Sequence, residues 1–385
     1  MKDKNLLFKL NSFYFIIYGF MACYYPFITL YFTTKGLSYS QIGIALAVNS
    51  LVGVIVQPVW GYITDKYLDK RSSLLISIII SCIVVLLFSL VKSWISILTV
   101  LTIFMIFLSP IASLADSYCY DLMEKNKAIQ YGKVRLMGSV GYAIIALAMG
   151  IIIKKTNINS SFYIYFILSI IGFFLLKTVS FKGRPAAYKI NPNDLLVLIK
   201  NKKFFVFIIT VFFINISMGA NGNYITILIQ KTGGDVSNLG LLWFIVAISE
   251  LPAFFFGNKL LKKVGDMNLY IICFILYILR YFLDSICQNY NAVILIQLMQ
   301  GITFPLYLVA ALNYINRIVP ERMRTSGITL YSAIGVGLGS FVGNMGGGFL
   351  LQYSNVFFLY QILSFSSVIS LAVSLVLKKI DEVET

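Results

Sequence analysis

Long apolar stretches recur along almost the whole chain and are separated by short polar segments. Each stretch reaches about 20 residues, the length that a helix needs to cross a bilayer. The pattern therefore predicts an all-α membrane protein with twelve transmembrane helices. The predicted helices cover residues 7–33, 39–62, 72–91, 95–122, 131–153, 160–179, 204–230, 238–258, 268–287, 291–316, 323–347 and 354–377. The first is too long for the apolar core of a signal peptide and is interpreted as a retained helix.

The longest polar segment, residues 180–203, divides the twelve predicted helices into six and six. We interpret it as a cytoplasmic linker between an N-terminal six-helix bundle (1–179) and a C-terminal six-helix bundle (204–385). Residues 194–203 are predicted to form a short helix along the membrane surface. A weak repeat favours two pseudo-symmetric bundles, because Gly61 and Gly257 each end an even-numbered helix and precede a basic loop.

Composition excludes several classes of protein. Hydrophobic residues make up 59% of the 385 residues and charged residues 12%, about half the charged share of a soluble protein. The chain has no histidine, which excludes histidine-based catalytic triads and histidine metal sites. Its five cysteines are scattered singly without a CxxC spacing. There is no GxxxxGK[ST] segment for direct use of ATP. We therefore expect neither a metal nor a cofactor.

Basic residues are distributed unevenly between the polar segments. The 31 Lys and Arg residues outnumber the 15 Asp and Glu residues, for a formal net charge of +16. With the N-terminus inside, 24 of the basic residues fall in cytoplasmic segments and five on the opposite side. This asymmetry predicts a multi-pass protein of the cell (plasma) membrane with both termini cytoplasmic. Because the basic residues are spread over short loops, we expect no nucleic-acid partner.

Two loop motifs carry a family resemblance. Residues 61–71, GYITDKYLDKR, match the pattern G-x-x-x-D-[RK]-x-x-x-[RK]-[RK], with Asp69 where glycine is common. Residues 319–327, VPERMRTSG, contain P-E-x-x-R after the tenth predicted helix. Both resemble the major facilitator superfamily. The resemblance implies two six-helix bundles, transport by alternating access, and a cytoplasmic gating role for Gly61, Asp65, Lys66, Arg71, Glu321 and Arg324.

A narrower resemblance covers most of the chain. Residues 24–27 (YYPF), 57–61 (QPVWG) and 131–142 (YGKVRLMGSVGY) are similar to lactose permease and its relatives. Asp116 together with the YGxxRLxGSxG pattern looks closer to the branch of phenylpropionate and nucleoside permeases. The resemblance implies proton-coupled uptake through a central site. The tenth helix departs from it, because Gln300 and Thr303 stand where relatives often have a histidine and a glutamate. Either another carboxylate carries the proton or the coupling differs.

Ionisable side chains within the predicted helices are the first candidate site residues. An Asp or Arg at the centre of a membrane helix costs at least about 2.5–3.5 kcal/mol, so such residues need partners. Asp116 and Arg135 lie on consecutive helices at similar predicted depth. Their pair is either a structural salt bridge or a substrate-binding site, in which the planar guanidinium donates to hydroxyl or carboxylate oxygens. We favour the substrate-binding interpretation.

Glu250 and Arg280, on the eighth and ninth predicted helices, form the second candidate pair. They stand where lactose permease has a carboxylate and an arginine. Glu250 is our first choice for the proton-coupling residue, supported by Arg280, and Asp116 is the second choice. The alternative is a fixed ion pair. Asp284 lies near the outer end of its helix, and we interpret it as an interface residue.

Four further polar residues are expected to contact substrate. Tyr142 follows Arg135 by seven residues, two turns along the same helix face. Asn221 and Asn223 lie near glycines in the seventh helix, and Gln300 lies in the tenth. The alternatives are a core- or lipid-facing tyrosine and amides that form interhelical hydrogen bonds.

The leading hypothesis is a monomeric secondary active transporter in the lipid bilayer, not an enzyme. It transports a small-molecule substrate by alternating access, and we favour proton symport of a sugar, glycoside or nucleoside. A second hypothesis is proton-coupled uptake of an aromatic carboxylate through Arg135 or Arg280. A membrane receptor or sensor is the third, although no loop is large enough for an appended soluble domain.

Overall fold

A computed structural model describes residues 2–126, 129–179 and 192–384. Within them the chain is helical and has no strand. The α-helices are α1 (Lys2–Tyr24), α2 (Ile28–Thr34), α3 (Tyr39–Lys66), α4 (Lys70–Leu90), α5 (Trp94–Leu108), α6 (Pro110–Lys125), α7 (Tyr131–Lys155), α8 (Asn159–Lys177), α9 (Pro192–Lys200), α10 (Lys202–Lys231), α11 (Val236–Val264), α12 (Asp266–Ile286), α13 (Tyr290–Ile296), α14 (Leu298–Ile318), α15 (Arg324–Leu330), α16 (Gly339–Tyr353) and α17 (Val356–Glu384). A 3₁₀ turn (Glu321–Met323) precedes α15, and a π-helical segment (Tyr331–Leu338) joins α15 to α16.

Twelve stretches of these described helices are long and apolar enough to cross a membrane, as the sequence predicts. Four stretches are built from consecutive helices: α1 with α2, α5 with α6, α13 with α14, and α15 with α16. Two of the breaks coincide with prolines. Pro26 lies between α1 and α2, and Pro110 begins α6. Because proline has no N–H for the helix ladder, it favours an interruption at these positions.

The chain divides into two compact units. The first contains residues 1–37, 52–187 and 235–248, and the second contains residues 38–51, 188–234 and 249–385. Each of α3 and α11 is therefore shared, with its first half in one unit and its second half in the other. The bundle boundaries predicted at 179 and 204 remain a prediction. Residues 180–191 of the predicted linker lie outside the described part, and α9 covers Pro192–Lys200.

Close glycine contacts join the shared helix halves to their units. In the first unit, a Cβ atom on Gly150 of α7 would lie 2.9 Å from the Cα of Gly240 on α11. In the second unit, a Cβ on Gly43 of α3 would lie 2.8 Å from the Cα of Gly348 on α16. Such distances leave no room for a side chain, so small residues are required for the helices to approach.

The two units repeat one packing arrangement. In the first, α1 packs against α7 and α8, and Gly141 of α7 faces the backbone of Phe15. In the second, α10 packs against α16 and α17, and Gly343 of α16 faces the backbone of Ile216. The first and fifth membrane helices of each half therefore pack through a glycine. This contact positions the polar residues of α1 and α7 beside one another.

Candidate functional site

Asp116 of α6 lies beside tyrosines from two neighbouring helices. The hydroxyl of Tyr14 on α1 donates to Oδ1 of Asp116 at 2.9 Å, and Tyr131 at the start of α7 also interacts electrostatically with this carboxylate. Tyr14 is fully buried, whereas Asp116 is half-buried. Three helices thus supply the groups around one half-buried carboxylate.

Arg135 of α7 stacks on an aromatic ring of α1. Its guanidinium carbon lies 4.0 Å from the ring centroid of Tyr18, within the range of a cation–π interaction. Arg135 also interacts electrostatically with Asp116, so the structure brings the two predicted partners together. Tyr14 and Tyr18 are four residues apart and therefore share one face of α1. We call Tyr14, Tyr18, Asp116, Tyr131 and Arg135 the first-unit cluster.

Tyr142 lies on the same helix as Arg135 and is half-buried. The first-unit cluster presents a fixed guanidinium, a carboxylate and several aromatic rings. Guanidinium and carboxylate groups hydrogen bond to hydroxyls, and the ring faces pack against the apolar face of a sugar or base. This combination is suited to a small solute with both hydroxyl groups and an apolar face.

Arg280 of α12 is fully buried in the second unit. Its Nη1 donates to Oε1 of Gln300, and its Nη2 donates to the hydroxyl of Tyr281 at 2.8 Å. The guanidinium carbon lies 5.1 Å from the ring centroid of Tyr277 and 4.6 Å from that of Tyr281. Its Nε has no hydrogen-bond partner among the described atoms. The hydrogen bonds that it makes therefore go to neutral oxygens, and one donor is unused.

Asp284 lies one turn beyond Arg280 and is also fully buried. The amide of Gln297 donates to it, with Nε2 3.2 Å from Oδ1 and 2.9 Å from Oδ2. Asp284 interacts electrostatically with Arg280. Interpreting Asp284 as an exposed interface residue was wrong, because its side chain is enclosed in protein; α14 and α17 pack on α12. We call Arg280, Asp284, Gln297 and Gln300 the second-unit cluster.

Glu250 lies half-buried in the middle of α11. Its predicted pairing with Arg280 remains a prediction, and so does its role in proton coupling. The described residues contain no group of three or more His, Cys, Asp or Glu side chains that would hold a metal ion.

The asparagines of α10 take part in hydrogen bonds between helices. Asn221 accepts from the hydroxyl of Tyr360 at 2.9 Å. Asn223 donates to Oδ1 of Asn344 at 2.9 Å, and Asn344 donates to Oγ of Ser50 at 3.0 Å. This chain of bonds connects α10, α16 and the first half of α3. The arrangement matches the alternative interpretation of these amides, and a direct contact with substrate remains a prediction.

The loop after α3 is held by specific contacts. Asp69, where the family pattern often has glycine, has a φ of −98° and caps α4 by accepting from the backbone N–H of Ser72 at 3.0 Å. Lys70 forms a buried ion pair with Asp121 of α6 at 2.6 Å. Nη2 of Arg71 donates to the carbonyl of Lys177 at the end of α8, at 2.7 Å. Asp69 therefore caps the start of α4, and Lys70 and Arg71 attach it to two other helices.

The other predicted gating residues lie at or near helix ends. Gly61 and Asp65 lie in the last turns of α3, and Lys66 at its end donates to the hydroxyl of Tyr62 at 2.8 Å. Glu321 and Arg324 form an exposed ion pair at 3.4 Å. These positions are compatible with a role in gating, which remains a prediction.

Several site residues were missed in the sequence. Tyr14 and Tyr18 lie in an apolar run that contains many aromatic residues, and Gln297 and Asn344 are single amides. A signal was present for the tyrosines, because their spacing of four places both on one helix face. No comparable pattern identifies the partners of Asn344, which come from distant parts of the chain.

Comparisons with known proteins agree with this architecture. The MFS_1 like family matches residues 7–362. Among curated relatives, the chain is 26% identical to an uncharacterized transporter, YwbF, of Bacillus subtilis, over 97% of this chain and 94% of the relative. It is 25% identical to the maltose permease of Geobacillus stearothermophilus, over 95% of this chain and 93% of the permease.

Two further similarities concern other solutes. The chain is 24% identical to a probable 3-phenylpropionic acid transporter of Escherichia coli, over 88% of this chain and 89% of that protein. The crystal structure of the nucleoside transporter NupG has a TM-score of 0.86 at 17% identity. The match covers 97% of this chain and 99% of that chain. At this identity the structural similarity establishes the fold.

Proposed function

The chain belongs to the MFS_1 like family and is a transporter, not an enzyme, and on this premise we propose that it takes up a small polar solute together with protons. The substrate class that we favour is a sugar, glycoside or nucleoside. Transport proceeds by alternating access in the cell membrane, with both termini in the cytoplasm and the protein acting as a monomer.

The observation that carries the substrate class is the first-unit cluster. Arg135 stacks on Tyr18, and Tyr14 donates to Asp116, so charged groups are held by aromatic residues rather than left free to move. Such a preformed site binds hydroxyl groups in a fixed orientation and loses little side-chain entropy. The names of the maltose permease and of the nucleoside transporter support the same class.

Alternating access is supported by the shared helices α3 and α11. Each begins in one unit and ends in the other, and close glycine contacts hold its first half. We expect the Gly43–Gly348 and Gly150–Gly240 contacts to separate when the opposite side of the transporter opens. Gly61, Asp65, Lys66, Arg71, Glu321 and Arg324 would then stabilise the closed cytoplasmic face.

Proton coupling requires a carboxyl group that changes its protonation during the cycle. Glu250 and Asp116 are the candidates predicted from the sequence, and both are half-buried. Burial favours the neutral acid, whereas a nearby arginine favours the carboxylate, so a movement that alters either one also moves a proton. This balance allows solute binding and proton binding to influence each other.

The test is uptake by the purified protein in liposomes. Radiolabelled maltose and uridine are offered outside vesicles with an alkaline interior, and accumulation is compared with that in vesicles without a pH gradient. We expect the gradient to drive accumulation of one of the two solutes, and a proton ionophore to abolish it. If Glu250 carries the proton, Glu250→Gln retains exchange of solute for solute and loses uphill uptake. Unchanged uphill uptake and proton flux in this variant would remove the proton role from Glu250.

A second candidate function is uptake of an aromatic carboxylate. The unused Nε donor of the buried Arg280 favours it, because guanidinium donors bind carboxylates. One relative is named as a probable 3-phenylpropionic acid transporter. Competition by 3-phenylpropionate but not by maltose or uridine would establish this function. Flux of any of these solutes through the purified protein alone would exclude a receptor or sensor.

A further inference from the structure

Asp284 has the environment of a coupling residue, although its position in the sequence predicts only an interface residue. We propose that Asp284 is the carboxyl group that takes up and releases the transported proton, and that Arg280 links it to solute binding. The inference rests on the proposed function, because it assigns the proton of that transport cycle to Asp284 in place of the sequence-predicted candidates Glu250 and Asp116.

The first step of the argument is the burial of Asp284. Among the described acidic side chains, Asp284 and Asp381 are buried, with exposures of 0% and 7%. Asp381 has cations as direct partners, with Nη2 of Arg317 at 2.8 Å and Nζ of Lys203 at 3.4 Å. The hydrogen bonds that Asp284 accepts come instead from the neutral amide of Gln297. An ionised carboxylate enclosed in a membrane helix bundle is costly, and a neutral amide compensates only part of that cost.

The second step concerns the balance of charge in the second-unit cluster. Arg280 donates to the neutral oxygens of Gln300 and Tyr281, and among the described residues Asp284 is the carboxylate that acts on it electrostatically. With Asp284 ionised, the positive and negative charges offset each other. With Asp284 protonated, Arg280 is left as an uncompensated buried cation. The protonation state of one residue therefore controls how strongly the other attracts an electronegative ligand.

The third step links this balance to solute. Arg280 has an unused donor at Nε, and its Nη1 is held by Gln300, a half-buried residue expected to contact substrate. A solute oxygen that accepts a hydrogen bond from the guanidinium offsets part of the positive charge that ionised Asp284 otherwise offsets. Protonation of Asp284 then costs less free energy. By linkage, protonation of Asp284 strengthens solute binding by the same factor. Solute and proton then bind together and leave together, as symport requires.

The proton step needs no partner other than water. A proton from the outer solution forms an O–H bond at one carboxylate oxygen of Asp284, and the bond breaks when the proton is released to the cytoplasmic side. No electron is transferred and no other bond changes. The titratable and charged groups that act on Asp284 are Arg280 and Tyr281 from α12 and Tyr360 from α17. From the start of α14, the group that contacts Asp284 is the neutral amide of Gln297.

The first experiment needs no solute. Infrared spectra of the purified protein, titrated from acid to alkaline pH, report the carbonyl band of a protonated buried carboxyl group. We expect a band that disappears with rising pH in the wild type and is missing in Asp284→Asn. The matched control, Glu382→Gln, removes an exposed carboxylate at the end of α17 and is expected to leave the band unchanged. A band that persists in Asp284→Asn, or disappears in Glu250→Gln, would overturn the assignment.

A second variant keeps Asp284 in place and guards against misfolding. Gln297→Leu removes the amide that donates to the carboxylate, so the ionised form loses support and the band should persist to higher pH. An unshifted band in a folded Gln297→Leu protein would contradict the geometry on which the inference depends. Asp284→Glu, which retains a titratable group, is expected to restore a pH-dependent band.

Transport measurements separate this inference from the proposed function. Maltose, uridine and 3-phenylpropionate are each tested for uptake and for exchange in liposomes. In the wild type, affinity for the transported solute should rise about tenfold as pH falls through the titration of Asp284. Asp284→Asn should keep exchange, lose the pH dependence and lose uphill uptake. If the wild type itself fails to couple uptake to protons, the proposed function fails. If the wild type couples uptake to protons and Asp284→Asn still does so, this inference fails alone.

Discussion

The hydroxyl of Tyr14 donates a 2.9 Å hydrogen bond to Oδ1 of Asp116, which lies 102 residues later in the sequence. Tyr14 is fully buried. The bond joins α1 to α6 in the first-unit cluster and gives a half-buried carboxylate a partner that water cannot readily replace. Interhelical hydrogen bonds in membranes average about 0.6 kcal/mol and reach about 1.7 kcal/mol.

We therefore expect Tyr14→Phe to lower the free energy of unfolding by about 1 kcal/mol, measured by denaturant titration in mild detergent. The matched control is Tyr24→Phe, because the buried hydroxyl of Tyr24 has no hydrogen-bond partner among the described atoms. Removing that hydroxyl should be neutral or slightly stabilising. Equal effects of the two substitutions would show that the Tyr14–Asp116 bond contributes nothing specific.

The helices were predictable because the physics that defines them is local. A run of about 20 apolar residues has few other stable states in a bilayer, so the twelve predicted spans agree with the observed ones. Asp116 and Arg135 were found because an ionisable residue within such a run is costly without a partner. Tyr14 and Tyr18 were not found, because each is one of 25 tyrosines and their partners, on α6 and α7, are set by how the helices pack.

Asp284 is a second residue whose surroundings could not be predicted from the sequence. Its place two residues before the end of α12 suggested exposure at an interface. Its burial depends on α14 and α17, whose sequences give no sign of where they pack. The depth of a residue along its helix can thus be read from the chain, whereas the direction in which its side chain faces depends on the neighbours.

The contact between Gly43 and Gly348 leads to a steric prediction. A Cβ on Gly43 would lie 2.8 Å from the Cα of Gly348 and 3.0 Å from the carbonyl oxygen of Asn344. Both are backbone atoms, so no rotamer change relieves the overlap. We expect Gly43→Ala to separate α3 from α16, at a cost of about 1–3 kcal/mol. The distance between spin labels at Ser40 and Gln352, in a background without native cysteines, measures the separation.

Gly222 provides the control for this substitution. It also lies within a membrane helix, α10, but a Cβ added there meets no atom within 4 Å. Gly222→Ala should leave the label distance and the stability unchanged. If Gly43→Ala behaves in the same way, the close approach of α3 and α16 does not depend on the absence of a side chain.

The loop before α11 carries an ion pair with a definite pH dependence. Nζ of Lys154 lies 2.6 Å from Oδ2 of Asp235. Partial burial opposes ionisation, but bonds from Lys154, Ser237 and the backbone of Ser237 and Asn238 lower the pKa of Asp235 to about 2. Because this pKa lies below the ordinary aspartate value of about 4, the ionised carboxylate stabilises the fold above about pH 4. This stabilisation is lost as pH falls through about 2.

Because the two side chains are 57% and 43% exposed, we expect Lys154→Ala to lower stability at pH 7 by less than about 1 kcal/mol. The difference from wild type should vanish below about pH 2 and shrink at high salt. Thermal unfolding over this pH range measures both effects, with Lys155→Ala as the control. A difference that grows on acidification would contradict the lowered pKa of Asp235.

The ion pair between Lys70 and Asp121 differs from surface pairs because both side chains are enclosed, with exposures of 8% and 14% and an Nζ–Oδ1 distance of 2.6 Å. Removing one partner leaves the other charge buried, so we expect Lys70→Met to cost about 3–5 kcal/mol. Replacing both, as Lys70→Met with Asp121→Leu, removes that penalty and should recover most of the loss.

The exposed pair Arg324–Glu321 serves as the comparison, and its coupling should be close to zero. A double-mutant cycle of unfolding free energies in detergent measures both couplings. If the loss of unfolding free energy in the double variant equals the sum of the losses in the two single variants, the charges of Lys70 and Asp121 do not act on each other. The loop before α4 is then held by Asp69 and Arg71.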